Sequence, residues 1–190
     1  DTSGRVIAYS GRILPKESNP EYKTDAAKYL NSPETSLFSK SHVLYGYSIA
    51  KNAIRKFNCS ILVEGQMDVV LSHQAGYTNT VAVSGTALTS DQLGLLARLS
   101  NNVVMAFDAD RAGVSSAGKG IGLALGRGMD VKVAALPPGA DPADLVRSGA
   151  HVWKEIVRSA KHVVDFYLDY LSGEFKDPRR LRLAVGERHR

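Results

Sequence analysis

Only one cysteine, Cys59, occurs in the 190 residues. That excludes an internal disulfide and any cysteine-built zinc site. The residue sits among apolar neighbours just ahead of Ile61, the setting of a small buried hydrophobe rather than of a reactive thiol. No uninterrupted apolar run approaches the roughly 18 residues that a membrane helix needs. Also lacking is a basic start followed by an apolar stretch and a small-residue cleavage site, the pattern of a secretory leader. These absences predict a cytoplasmic protein with no membrane partner. Internal repeats and low-complexity tracts are missing too. What remains is an ordinary globular composition, 44% apolar, with length for one full domain and a smaller appendage.

Charge is unevenly placed. The formal net charge is +5, from 24 Lys and Arg against 19 Asp and Glu, which fits a polyanionic partner without requiring one. Residues 1–56 are basic: Arg5, Arg12, Lys16, Lys23, Lys28, Lys40, Lys51, Arg55 and Lys56 face only Asp1, Glu17, Glu21, Asp25 and Glu34. From 64 to 144 the acids instead gather at a few strand ends. Such a chain would hold phosphates in front and metal behind.

Residues 5–14 read as a hairpin punctuated by Ser10-Gly11. Residues 16–28 read as a loop, and 28–35 carry too many breakers for a regular element. An amphipathic helix is predicted over 45–57. A regular alternation follows: strands near 61–63, 80–83, 103–107 and 131–136, with helices over 67–74, 92–99 and 112–127. Pro-rich turns then lead to one helix from about 152 to 171. Thr89-Ser90-Asp91-Gln92 has the pattern of a capping box. Short apolar strands alternating with helices predict an α/β fold, a parallel sheet with helices on both faces. The charged residues 176–190 read as a solvated helix or a frayed end.

Glu64-Gly65 directly follows the first strand of this alternation, and Asp108 follows the third, with Asp110 two further on. Ligands bind at the carboxyl ends of strands in parallel sheets. Were those two strands neighbours, about 4.8 Å apart, the three carboxylates would converge at one edge. Carboxylates so close cannot all ionise without a cation. Oxygen donors without Cys or His suit Mg²⁺, with Mn²⁺ as a substitute. Asp141, beyond the fourth strand, would add another carboxylate. A lone acid at a strand end is more often a helix cap or a surface group: Asp68 could simply favour the first turn of its helix, and Asp110 could cap the next one. Acids after two different strands make that joint reading much weaker.

Glu64-Gly65-Gln66-Met67-Asp68-Val69-Val70 with Phe107-Asp108-Ala109-Asp110-Arg111-Ala112-Gly113 resembles the Toprim signature of primases, topoisomerases, recombination-repair proteins and a class of nucleases. Three further segments resemble DnaG-type bacterial primases: Lys28-Tyr29-Leu30-Asn31-Ser32-Pro33-Glu34-Thr35, Leu44-Tyr45-Gly46, and Gly139-Ala140-Asp141-Pro142-Ala143-Asp144-Leu145. The match covers roughly residues 4–150 in the family's order and spacing. It implies a partial basic α+β subdomain over 1–57, a Toprim catalytic domain over 58–147, and a C-terminal helical segment over 148–190.

The resemblance further implies an enzyme that makes short RNA primers on a single-stranded DNA template from ribonucleoside triphosphates. Glu64, Asp68, Asp108 and Asp110 would be catalytic, and Glu64, Asp108, Asp110 and Asp141 would hold Mg²⁺. Arg12, Lys28, Asn31 and Lys40 would hold the template and the nascent primer. A replicative helicase would be reached through a C-terminal domain that this sequence does not include, and the family's zinc module is likewise outside it. The pattern departs from the family at Gln66 (usually aromatic), at Ala109 (often Gly) and at Ala143 (usually a second Asp). A different Toprim enzyme such as a metal-dependent nuclease, or a non-catalytic nucleic-acid-binding fragment, remains the alternative. A topoisomerase would need a Tyr nucleophile in another domain, which no segment here resembles.

Overall fold

The computed structural model describes residues 1–12, 29–107, 111–137 and 139–174. Strands β1 (Ser10–Arg12) and β2 (Tyr29–Asn31) pair antiparallel, followed by a single 3₁₀ turn (Lys40–His42) and helix α1 (Tyr47–Phe57). Then come β3 (Ser60–Val63), α2 (Gln66–Gln74), β4 (Thr80–Ala82), α3 (Ser90–Ala97), β5 (Asn102–Met105), α4 (Arg111–Gly126) and β6 (Asp130–Val133). Helices α5 (Pro142–Ser148) and α6 (Ala150–Arg158), strand β7 (Lys161–His162) and helix α7 (Val163–Glu174) complete the described chain. The main sheet runs β4-β3-β5-β6-β7, parallel except for β7.

Alternation along each strand builds two cores, because successive side chains point to opposite faces. Leu62, Val81, Val103, Met105 and Val131 join one cluster with Ile54 of α1, Leu93 and Leu96 of α3, and Ile121 of α4. Ile61, Val63, Ala82 and Val104 join the other with Val69 of α2, Leu145 of α5 and Trp153 of α6. All four residues of β3 are buried, as expected for the middle of a sheet covered on both sides. Each buried Val, Leu or Ile side chain here stabilises the fold by about 1.5–3 kcal/mol relative to exposure.

Three predicted elements come out differently. Within the described part of the predicted 5–14 hairpin, β1 pairs with Tyr29-Leu30-Asn31, inside the stretch read as too broken for structure; Ile13 and Leu14 lie outside the described residues. Three residues suffice there because the Ser10 hydroxyl donates to the Asn31 side-chain oxygen at 2.6 Å and reinforces the ladder. The turns after β6 contain a helix, α5, started by Asp141 as N-cap and Pro142 at its first position. The single helix expected over 152–171 is broken at 159–162. No Gly or Pro causes this break. The outer edge of β6 offers unpaired backbone groups, and Lys161 and His162 satisfy them, Val133 against Lys161 and Lys132 against His162. Cys59 is half-buried rather than fully buried. Among the described residues, no helix is long and apolar enough to cross a membrane.

Candidate functional site

β3 and β5 are parallel neighbours, with Ile61 opposite Val104 and Leu62 opposite Met105. Their carboxyl ends therefore share one edge of the sheet. The Ala106 N–H still donates to the Leu62 carbonyl at 2.9 Å, so the two strands stay paired to that edge. Glu64 leaves β3 there with an exposed side chain. Its carbonyl accepts from the Ser84 N–H at 3.0 Å, which ties the end of β3 to the segment after β4.

Gly65 follows as N-cap of α2, and its N–H donates to the Asp68 carboxylate at 2.9 Å. A Cβ on Gly65 would lie 2.8 Å from that carboxylate oxygen. Glycine is thus demanded by close approach and not by backbone angle, since its φ of −101° suits any residue. Asp68 is buried and its other oxygen accepts from the Ala143 N–H at 3.2 Å. One carboxylate thereby caps α2 and reaches the first turn of α5, where negative charge is favoured at both helix starts. Asp141 caps α5 in turn, accepting from the Asp144 N–H at 2.7 Å.

These groups open onto a cleft of about 200 Å³ lined by Glu64, Asp68, Asp141, Arg12, Tyr29 and Arg147 among others. Arg12 lies 5.8 Å over the Tyr29 ring, a cation–π arrangement that holds the guanidinium at the cleft. Among the described residues the lining holds no Cys or His, so the donors offered there are carboxylate oxygens, the chemistry of Mg²⁺. Among the described residues no three acids, histidines or cysteines stand close enough to hold an ion by themselves. Asp108 and Asp110, and likewise Lys28, lie outside the described residues. The donor type therefore fits a hard cation.

Lys40 and Asn31 line a neighbouring cavity of about 240 Å³, together with Gln66 and Ser84. Gln66 faces this cavity while Gly65 and Met67 face the acidic cleft, so the start of α2 divides the two. Gln66 donates its amide to the Ser84 hydroxyl at 2.7 Å. Asp144 points to solvent and pairs with Arg147 at 3.2 Å. Sequence reasoning missed Tyr29 and Arg147 as cleft residues. Arg147 was within reach of it, being three residues after Asp144 on a helix announced by Asp141-Pro142.

A parallel sheet with a Glu-Gly turn at one strand end, next to a strand that leads into Asp108-Ala109-Asp110, is the layout of a Toprim domain, and residues 58–135 match that family. Residues 1–51 match the N-terminal domain of the DNA primase catalytic core. The DNA primase of Listeria monocytogenes is 40% identical over 174 residues, which is 90% of this chain and 27% of that protein. The Escherichia coli primase catalytic core superposes with a TM-score of 0.79 at 36% identity, covering 97% of this chain and 59% of that one. A DnaG primase catalytic domain bound to single-stranded DNA gives the same figures. The chain belongs to the DnaG-type DNA primase catalytic-core family and spans about a quarter of the length of its full-length relatives.

Proposed function

We propose that this chain is the catalytic part of a primase, joining ribonucleotides into short RNA primers on single-stranded DNA. The observation that supports this most is the shared carboxyl edge of β3 and β5, where Glu64 meets a cleft bordered by Arg12 and Arg147. Acid for metal and base for phosphate line one opening. Asp108 and Asp110 are assigned to the same edge from their place in the sequence, directly after β5 and Phe107.

Mg²⁺ bound by Glu64, Asp108 and Asp110 would supply charge neutralisation and Lewis-acid polarisation at the phosphates. The chain's own groups do the rest. Arg147 orients the triphosphate. Glu64 receives or directs the proton released when the primer 3′-hydroxyl attacks the α-phosphate and pyrophosphate departs. Asp68 acts from behind, fixing the starts of α2 and α5, while Asp141, which caps α5 through one oxygen, offers a further carboxylate to Mg²⁺. Arg12, Lys28, Asn31 and Lys40 carry template and nascent strand, where phosphate contacts set affinity and its salt dependence. The relative solved with single-stranded DNA supports that assignment by likeness. A cytoplasmic location and a replicative helicase reached through a C-terminal domain complete the reading for the whole protein.

The test is incorporation of labelled ribonucleotides on single-stranded DNA by the full-length protein, with and without Mg²⁺ or Mn²⁺. Metal-dependent products longer than the input nucleotide support synthesis. Shortened DNA with no such product would establish the nuclease alternative instead.

A further inference from the structure

The 3₁₀ turn Lys40–His42 is held onto α3 by a hydrogen-bond set larger than helix capping needs. Gln92 is completely buried. Its side-chain oxygen accepts from the Thr89 N–H at 3.1 Å, and the Thr89 hydroxyl accepts from the Gln92 N–H at 3.2 Å, which closes the capping box. That box uses only one end of the glutamine amide. The two amide hydrogens go elsewhere, to the Lys40 carbonyl and the Val43 carbonyl, both at 2.9 Å. Buried amide hydrogens are costly unless partnered, and their partners are the turn itself. The Thr89 hydroxyl adds a third tie, donating to the Ser41 carbonyl at 2.6 Å. His42 reaches Asp91 at 3.1 Å on the outside.

The opposite end of the Lys40 residue is also fixed. Its N–H donates to the Glu34 carboxylate at 2.9 Å. That donation, joined by the Ser39 hydroxyl, holds the Glu34 carboxyl below its ordinary range, so the acceptor stays charged at neutral pH. Both backbone groups of Lys40 are thereby taken, one by Glu34 and one by Gln92. Lys40 lines a cavity with Asn31 and Gln66.

We propose that Glu34 and Gln92 are positioning residues for Lys40, setting where its ammonium meets the nucleic-acid backbone. The inference rests on the reading of Lys40 as a single-strand contact. Glu34 separates it from plain electrostatics, because the two ideas predict opposite signs. Removing a negative charge beside phosphates should tighten binding if charge is all that matters. If Glu34 acts by holding Lys40, losing the acceptor should weaken it.

The experiment measures affinity for a labelled oligothymidylate across a salt series, using the 190-residue chain. Glu34→Ala is expected to weaken binding about two- to tenfold, the low end of coupling within one hydrogen-bonded network. Glu34→Gln keeps an acceptor oxygen and is expected to bind as well as the parent or better. The Glu34→Ala loss should vanish once Lys40→Ala is present. Gln92→Met should behave like Glu34→Ala at temperatures where a melt shows it folded; because Glu34 is exposed, its variants decide the matter if Gln92→Met does not fold. Tighter or unchanged binding by Glu34→Ala overturns the proposal, as does a loss that persists on the Lys40→Ala background. Should Lys40→Ala alone leave affinity and salt slope unchanged, the reading of Lys40 falls, and this inference falls with it.

Discussion

The Asp68 carboxylate and the Ala143 backbone N–H meet at 3.2 Å across 75 residues of sequence. Through this contact the helix that begins beside Glu64 is tied to the helix that begins beside Asp141. Glu64 and Asp141, two acids of one cleft, are thus linked through a third acid of the same lining that is itself buried. Asp68 and Glu64 belong to the same short motif, yet the fold gives them different tasks.

Asp68→Asn should therefore destabilise the chain. An amide can accept one of the two backbone donors, but it turns an N–H toward the other. The expected loss is about 1–3 kcal/mol, the cost of an unsatisfied buried donor. Glu64→Gln, at an exposed side chain, should stay within about 0.5 kcal/mol of the parent. Denaturant unfolding of both variants checks the contrast. Equal stability of the two would show that the buried contact carries nothing.

The sheet was legible in the sequence because its strands are short, apolar and regularly spaced. The adjacency of β3 and β5, on which the site depends, entered as a condition that periodicity could not decide. The failures have physical causes of two kinds. β7 carries no strand signal at all: Lys161 and His162 are exposed and polar, and the open edge of β6 recruits them. α5 did carry its signal, Asp141-Pro142 at the start and Gly149 at the end, but it was hidden among neighbouring prolines. The roles within the site were harder still. Nothing in the order of residues says that Asp68 would turn inward to two backbone donors while Glu64 turns outward.

Gly65→Ala tests the clearance under the motif. The added methyl would begin 2.8 Å from an Asp68 oxygen, closer than a carbon and an oxygen can approach. Either the Asp68 contact to the Gly65 N–H breaks or α2 shifts. Overpacking of this kind costs about 1–3 kcal/mol. Gly65→Ala made on an Asp68→Ala background should cost much less, since the obstructing oxygen is gone. A full second loss on that background would place the constraint elsewhere.

Cys59 should react slowly. Burial pushes its thiol above the ordinary value, with the Lys132 charge pulling weakly the other way. A raised value leaves less thiolate at any pH below it, and thiolate is the reacting form. Alkylation of the folded chain at pH 8 should run about tenfold or more below that of an unfolded control. The linkage has the same sign: any stability this thiol contributes is present below its unfolded value and fades as pH rises through the folded one. Rapid labelling of the folded chain would contradict the packing described around β3.

The last prediction separates chemistry from fold at the cleft. Carboxylates gathered at one edge repel one another in the absence of a cation, so neutralising one should leave stability unchanged or slightly higher without Mg²⁺. Glu64→Gln and Asp108→Asn should each lower nucleotide incorporation by the full-length protein by about a hundredfold or more, the scale of losing one preorganised electrostatic partner. Oligothymidylate binding should be nearly intact in both, because Lys40, Asn31 and Arg12 are untouched. Mg²⁺ should raise the melting temperature of the parent, since a ligand bound to the folded state stabilises it by mass action. That rise should shrink in either variant. Activity, binding and melting are best read on the same preparations. Near-parental incorporation by a folded Asp108→Asn protein would put the active site somewhere other than the shared edge of β3 and β5.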